Sequence, residues 1–355
     1  MAYTDIDNPS ETAFNTKLYT GTGSSLAISS LNFAPDLVWI KGRSGATEHV
    51  LTDSVRGVTK EISSNDTGAE ETVAQGLTAF NSDGFTVGTD GSYNTSSATY
   101  ASWNFKAGTS VSGSTTGSGT AKTYTGSVNT DAGFSIIKYT GNGTSGHTIP
   151  HHLTVAPNFI ITKVLNDTSS AYVYHSGIGA TKNLFLSETD AAGTSAAYWV
   201  NTAPSSSVFT VGDQTGNNGN TKNIIAYCFA EKQGYSKFGS YVGNGNADGT
   251  FIYTGFKPAY VMIKRTDSTD NWQILDNERA PYNLMQKTLY ANVTTAEVTT
   301  DRLDFLSNGF KIRATNAAVN ASGGTYIYMA FAEQPFVTST GVPATARWLC
   351  SYLLT

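Results

Sequence analysis

A 355-residue chain with a net charge of −5 and no long basic run is poorly suited to nucleic acid, because phosphate binding needs clustered Lys and Arg. Charged residues make up only 14% of the chain while aromatics reach 12%, which excludes intrinsic disorder, since disordered chains lack the apolar surface that builds a core. No segment approaches the apolar length of a membrane span, and the mixture of Tyr, Phe, Thr and Gly points to an all-β protein.

The chain opens on an arm, residues 1–15, whose "MAYTDIDNPSETAF" has neither the basic start nor the apolar stretch of a signal peptide. Three units follow, marked by landmarks that recur in one order. The first unit spans 16–108. It begins with Tyr19-Thr-Gly-Thr-Gly23 and continues with the apolar strand "PDLVWIK" from Pro35. It then runs through the turn and strand "SDGFTVG" around Phe85 and closes with "YASWNFK". Residues 109–133 are rich in Ser, Gly and Thr and read as a flexible connection, within which "KTYTGSV" is able to add a strand to a neighbour.

The second unit, 134–235, repeats these landmarks as Tyr139-Thr-Gly-Asn-Gly143, "PNFIITK", "SSVFTVG" and "IIAYCFAE". The third, 236–337, has Tyr241-Val-Gly-Asn-Gly245, "PAYVMIK", "SNGFKIR" and "YIYMAFAE". Pro35 to Phe85, Pro157 to Phe209 and Pro258 to Phe310 are 50, 52 and 52 residues apart. From there to the closing Phe105, Phe229 and Phe331 the gaps are 20, 20 and 21. Units of this length match one jelly-roll or immunoglobulin-like domain rather than a propeller blade. The expected fold is therefore three tandem antiparallel β-sandwiches from an internal triplication.

The post-proline strand is apolar on both faces, so it is expected to be central in its sheet. In the closing strands Trp103 and Phe105, Tyr227 and Phe229, and Met329 and Phe331 share a face, predicted to point into each sandwich core. Almost no linker separates units two and three, which predicts rigid docking. The last segment, 338–355, contains "RWLCSYLL" and is expected to pack on another unit or another subunit.

Each candidate for chemistry has a structural reading beside it. Asp53 with Arg56, and Asp276 with Arg279, form an Asp-x-x-Arg pattern that "YVYHSGIG" replaces in unit two, and the pattern reads as an ion pair closing a turn. Glu231 and Glu333 occupy one position, but unit one has Ala107 there, and glycosidase chemistry needs two facing carboxyls. His151 and His152, with His147 nearby, fall in a loop without further ligands and read as surface rather than a metal site. Lys264-Arg265 likewise reads as ordinary surface.

Cys228 and Cys350 make neither a disulfide framework nor a zinc site, and Cys228 reads as a small buried residue. Asn94, Asn218 and Asn320, eleven residues before each closing Phe, read as left-handed turn residues. Tyr172, Tyr174, Tyr198, Trp199 and Trp272 are candidates for stacking on sugar rings, with core or inter-unit contact as the alternative. No catalytic, cofactor-binding or metal residue is assigned, no cofactor is implied, and an enzyme is not expected.

The phrases "FNTKLYTGTGSS", "PDLVWIKGRSG", "HVLTDSVRG", "LTAFNSDGFTVG", "AYCFAEKQGYSKFGSYVGNGNADG" and "YIYMAFAEQPF" together resemble a repeat family of bacteriophage virion proteins. That family is common in phages of marine bacteria and is often described as tail-fibre or structural protein. The resemblance covers Asp5 to Val337. It implies a virion structural protein made in the host bacterial cytoplasm, with a tail-fibre or other host-facing appendage subunit for attachment as the first expectation. A capsid-decorating or cement protein is the alternative, and a host-polysaccharide-binding module the second. Expected partners are other virion proteins and copies of itself, a trimer or a single-chain pseudo-threefold ring included, and a host-surface glycan or receptor. Nucleic acid and membrane insertion are not expected.

Overall fold

Each Tyr-x-Gly-x-Gly landmark ends a seven-residue opening strand that pairs antiparallel with the closing strand of its own unit. Phe14–Thr20 pairs with Thr99–Phe105, Phe134–Thr140 with Asn223–Phe229, and Ser236–Val242 with Thr325–Pro335. These contacts come from a computed structural model that describes residues 4–342. The segment "RWLCSYLL" and Cys350 lie outside the described residues.

The other edge of each closing strand takes the post-proline strand, Leu37–Gly42, Phe159–Val164 or Phe256–Arg265, which is central as expected. Next outward come His49–Asp53, Tyr172–His175 or Gln273–Asp276, then Lys60–Ser63, Lys182–Phe185 or Met285–Tyr290. One strand order thus recurs in all three units. The protein is all-β, built from several antiparallel sheets. The described helices are single turns of four residues, and none is long and apolar enough to cross a membrane.

Units one and two each add a separate three-stranded sheet. It is made of Leu26–Ile28, Gly84–Val87 and Leu77–Asn81 in one, and of Thr116–Gly117, His147–Pro150 and Val208–Val211 in the other. Unit three differs. Its nine-residue strand Val298–Leu306 pairs at one end with Met285–Tyr290 and at the other with Gly309–Ile312, so all its strands join one eight-stranded order.

Residues 109–133 are not a slack connection. Thr109–Ser114 pairs with Thr123–Asn129, which pairs in turn with Phe134–Thr140, so two strands are added to the sheet of unit two. Threonines and Tyr124 favour extended backbone there, and Tyr124 and Val128 pack into the core of that unit. Gly126 permits the close pairing, because a Cβ would lie 2.4 Å from the Ile136 carbonyl oxygen.

The central strands of the large sheets are buried on both faces, and the two faces do different things. Val38, Ile40 and Val50 face the small sheet of unit one, together with Ile28, Leu77, Phe85 and Val87. Leu37, Trp39, Leu51, Trp103 and Phe105 belong instead to a cluster that runs through all three units. The face shared by Trp103 and Phe105, Tyr227 and Phe229, and Met329 and Phe331 therefore looks into the common centre, not into a core private to each unit. At that centre the three closing phenylalanines form a triangle, with ring centroids 5.4, 5.2 and 5.9 Å apart for Phe105–Phe229, Phe105–Phe331 and Phe229–Phe331. Rings at such separations and tilted angles gain edge-to-face attraction beyond their burial.

Because this triangle joins every unit to the other two, Phe331→Ala is expected to destabilise the whole chain by about 3–5 kcal/mol. Urea denaturation should show one transition shifted to lower denaturant. A second, separate transition would show that the units unfold independently.

Candidate functional site

The polar residues that stand out in the sequence converge on the boundaries between units. Asp53 and Arg56 are both fully buried, with Arg56 Nε 2.5 Å from Asp53 Oδ2. The Asp53 Oδ1 accepts the backbone N–H of Arg56 at 2.8 Å, and Arg56 Nη2 donates to the Leu51 carbonyl at 2.7 Å. Tyr227 of unit two then donates its hydroxyl to Asp53 Oδ2 at 2.7 Å. Burial opposes the charge on Arg56, but Asp53, with Tyr227 and Glu70, more than offsets it, and the guanidinium's pKa is raised.

Asp276 and Arg279 repeat this arrangement in unit three, at 2.6 Å, and are likewise fully buried. Here the inter-unit donor is Trp103 of unit one, whose Nε1 lies 3.0 Å from Asp276 Oδ2, with Arg279 placed 5.6 Å over the Trp103 ring. The expected turn-closing ion pair is present in both units, and it also serves as a socket for a neighbour.

Unit two reaches the same end by different chemistry. His175 takes the Asp position, with Nδ1 accepting the Gly177 N–H at 2.9 Å, and Nε2 donates to the Tyr328 carbonyl of unit three at 3.0 Å. The residue equivalent to Trp103 and Tyr227 is Met329, which has no N–H or O–H to offer. The acceptor and the donor have both been replaced, and the polarity of the bond is reversed. Burial, opposed by the bond to Tyr328, lowers the His175 pKa to about 4.

The lysines that end the post-proline strands follow the same cycle. Lys41 Nζ reaches the Thr294 carbonyl of unit three at 2.9 Å, Lys163 the Asp66 carbonyl of unit one at 3.1 Å, and Lys264 the Thr189 carbonyl of unit two at 3.0 Å. All three are almost wholly buried, and burial lowers each pKa to about 8. Lys264 is thus not surface. Backbone bonds repeat the pattern, from Glu70 N to the Leu165 carbonyl at 2.8 Å, Ala192 N to Thr266 at 2.9 Å, and Glu297 N to Arg43 at 2.9 Å. Unit one thus bonds unit three, unit two bonds unit one, and unit three bonds unit two, so every pair of units shares a boundary.

Asn94, Asn218 and Asn320 are buried, and they are not left-handed turn residues. Each side-chain oxygen accepts a backbone N–H of a Gly-x-Gly turn, from Thr22 at 2.7 Å, Asn142 at 2.9 Å and Asn244 at 2.9 Å. Each amide nitrogen donates to a carbonyl just past the strand that carries the turn Phe, at Gly88, Gly212 or Ala314. The glycines are required where this clamp closes: a Cβ at Gly21, Gly141 or Gly243 would lie 2.2–2.4 Å from a backbone oxygen.

The remaining candidates are also engaged locally. His147 bonds Thr115 Oγ1 at 2.7 Å, and His151 bonds the Ser205 carbonyl at 3.1 Å; both are buried, which corrects their reading as surface. His152 pairs with the Tyr124 hydroxyl at 2.8 Å. Among the described residues, no group of three or more His, Cys, Asp or Glu is placed to hold a metal ion.

Tyr172, Tyr174, Trp199 and Trp272 are core, and Trp272 Nε1 crosses to the Phe185 carbonyl of unit two at 2.9 Å. Tyr198 is half-buried against Tyr172 and Phe185. Glu231 is half-exposed and bound to Lys237 at 2.6 Å, while the Glu333 side chain lies outside the described ones. Cys228 is buried, and its thiol is pushed up to about 12.

Residues 8–335 match the model of a family described as a domain of unknown function, DUF7483. No curated protein and no solved structure matches the chain.

The exchange of polarity at unit two predicts a compensating set. His175→Asp places a carboxylate against the Tyr328 carbonyl without an arginine at position 178, and is expected to cost about 3–5 kcal/mol. Adding Ile178→Arg and Met329→Tyr rebuilds the socket of unit one and should restore most of that loss in urea denaturation. Additive losses in the triple variant would refute the equivalence.

The same histidine sets a pH dependence. Its folded pKa lies below its ordinary value near 6.5, so its contribution is complete above that value and is lost as pH falls towards 4, up to about 3 kcal/mol. Glu61, raised to about 7 by burial, acts in the opposite direction, which makes a matched comparison necessary. His175→Gln keeps a donor and an acceptor without a titrating group. It should lose less stability than the wild type between pH 6.5 and 4 in thermal melts, and equal slopes would sink the assignment.

Proposed function

The chain belongs to the DUF7483 family, whose function is unknown, and we propose, from its sequence resemblance and its inter-unit contacts, that it is a non-enzymatic structural protein of a bacteriophage virion. Within the particle, the reading favours a tail-fibre or host-facing appendage subunit that takes part in attachment. The observation that carries it is the engagement of the buried polar residues. Asp53–Arg56, Asp276–Arg279, His175 and the three lysines are directed at neighbouring units rather than at an open cleft. Chemistry needs groups held near a substrate, whereas assembly needs rigid surfaces at fixed angles, and these residues serve the second requirement.

We read the recurring strand order as three copies of one β-sandwich produced by triplication. The repeated sequence landmarks and the equivalent inter-unit bonds support this reading. Tail-fibre and host-facing roles come from the resemblance of "PDLVWIKGRSG", "HVLTDSVRG" and the related phrases to phage virion repeats. Decoration of the capsid is the second place in the particle that suits such a subunit.

Quantitative mass spectrometry of purified particles tests the proposal and its placement together. A few copies per virion are expected for an appendage, and many tens to hundreds would assign the protein to head decoration. Absence from particles purified from infected cells that make the protein would end the virion reading.

A further inference from the structure

The interiors of units one and three differ at one polar cluster. In unit one the Tyr93 hydroxyl donates to Glu61 Oε2 at 2.8 Å and lies 3.2 Å from Thr52 Oγ1, and all three side chains are buried. Gly76 makes room for that ring, since a Cβ there would stand 3.0 Å from Tyr93 Cε2. Equivalent bonds identify the matching positions of unit three. Lys60 and Lys287 donate to the hydroxyls of Thr72 and Thr299, at 2.6 and 2.9 Å, which matches Glu61 with Thr288. The Tyr19 and Tyr241 hydroxyls donate to the Tyr93 and Val319 carbonyls, both at 2.8 Å, which matches Tyr93 with Val319. Gly88 N and Arg313 N donate to the Gly76 and Arg302 carbonyls, again at 2.8 Å, which matches Gly76 with Arg302.

The exchange is one of both volume and charge. Val319 leaves the space of a phenol ring, and the position that abuts that ring in unit one carries Arg302 in place of glycine. Thr288 stands where the carboxylate stood, and Leu275 takes the place of Thr52. A guanidinium has entered this interior and a carboxylate has left it. Arg302 is only 4% exposed. Among the described residues, its Nε and Nη1 and the Thr288 Oγ1 are sealed from solvent with no hydrogen-bond partner in the protein. The carboxylates of its own strand are engaged elsewhere: Asp301 accepts Gln286 Nε2 at 2.7 Å, and Asp304 accepts Arg313 Nε at 2.6 Å.

We propose that Arg302 and Thr288 form a binding site for a small monovalent anion of the halide class, held by Arg302 Nε and Nη1 and by the Thr288 hydroxyl. A charge buried without a counter-charge is strongly unfavourable, and a guanidinium cannot escape by losing its proton. An anion that accepts from all three donors supplies the negative charge that Glu61 provides at the matching position of unit one. A single-atom ion suits a space that the arginine already fills in part. The inference does not depend on the virion reading.

Thermal melts of the full chain at constant sodium test it, with chloride replacing gluconate up to about 100 mM. A saturating rise in melting temperature of about 2 °C is expected, because an ion bound only by the folded state stabilises it. Crystals grown in sodium bromide should show an anomalous peak within hydrogen-bond distance of Arg302 Nε. Arg302→Met should remove the peak and the rise together. Thr288→Glu restores the carboxylate of unit one, so it supplies the counter-charge from within the chain and should remove most of the rise. Equal melting in chloride and gluconate would overturn the proposal, and so would a full rise in Thr288→Glu. A bromide peak without a thermal rise would mark an adventitious ion only and would overturn it as well.

Discussion

The structure depends on a buried acceptor that cannot be left without a donor. Asp53 and Asp276 are fully buried, and the arginine beside each satisfies only part of the carboxylate. The remaining lone pairs point across a unit boundary, where Tyr227 and Trp103 meet them. An unpaired buried carboxylate would cost several kcal/mol, so the neighbouring unit is held at the one angle that brings its donor within reach. The substitution at unit two shows the same constraint from the other side. With Met329 at the donor position, a carboxylate would face a carbonyl oxygen, and His175 instead presents an N–H to Tyr328.

Apolar contact alone would not fix that angle. The phenylalanine triangle supplies much of the attraction, but three aromatic rings tolerate rotation and sliding. The buried lysines add directional bonds at the periphery of each boundary, and each places its ammonium on carbonyls of its own unit and of its neighbour. Burial, which strips water from each ammonium, lowers all three pKa values. Each boundary therefore combines non-directional burial with a small set of polar bonds that reject other arrangements. Equivalent positions face one another head to tail, and every pair of units shares such a boundary.

Much of this was legible in the sequence. The landmarks placed the opening, central and closing strands correctly because each carries an unambiguous local signal: an apolar run after proline, a Gly-x-Gly turn, and alternating large residues. The destination of the faces was not legible. Trp103 and Phe105 alternate as they would over a private core, and period-2 patterning marks a buried face without saying what buries it. Lys264 beside Arg265 has the local look of surface, although a lysine at the same position in every unit signals a fixed partner. Asn94, Asn218 and Asn320 were located by register, but their role as buried clamps depends on strands more than 60 residues apart. The Ser/Gly/Thr composition of 109–133 concealed strands because composition reports flexibility only where no neighbouring edge is open to pairing.

The boundary between units three and one has to be closed without a direct connection in the chain. Units one and two, and two and three, are joined by continuous backbone, so their partners are never far apart during folding. The third boundary brings the two ends of the chain together, and its chemistry differs accordingly. Arg43 forms a two-pronged pair with Glu297, at 2.8 and 3.0 Å, and Arg279 reaches the same carboxylate at 3.4 Å. The positions equivalent to Arg43 are Leu165 and Thr266, which carry no charge. Phe14 of the opening strand stacks on Phe331 at 5.1 Å, and the arm before it meets Ser339 through Asp7. A charge pair and a clasp of the termini thus stand where the other boundaries have covalent continuity. A partly shielded, bidentate pair is well suited to this place, because opposite charges attract over distances at which apolar surfaces exert no pull. The longest-ranged of the boundary interactions is therefore placed where the chain supplies no covalent link.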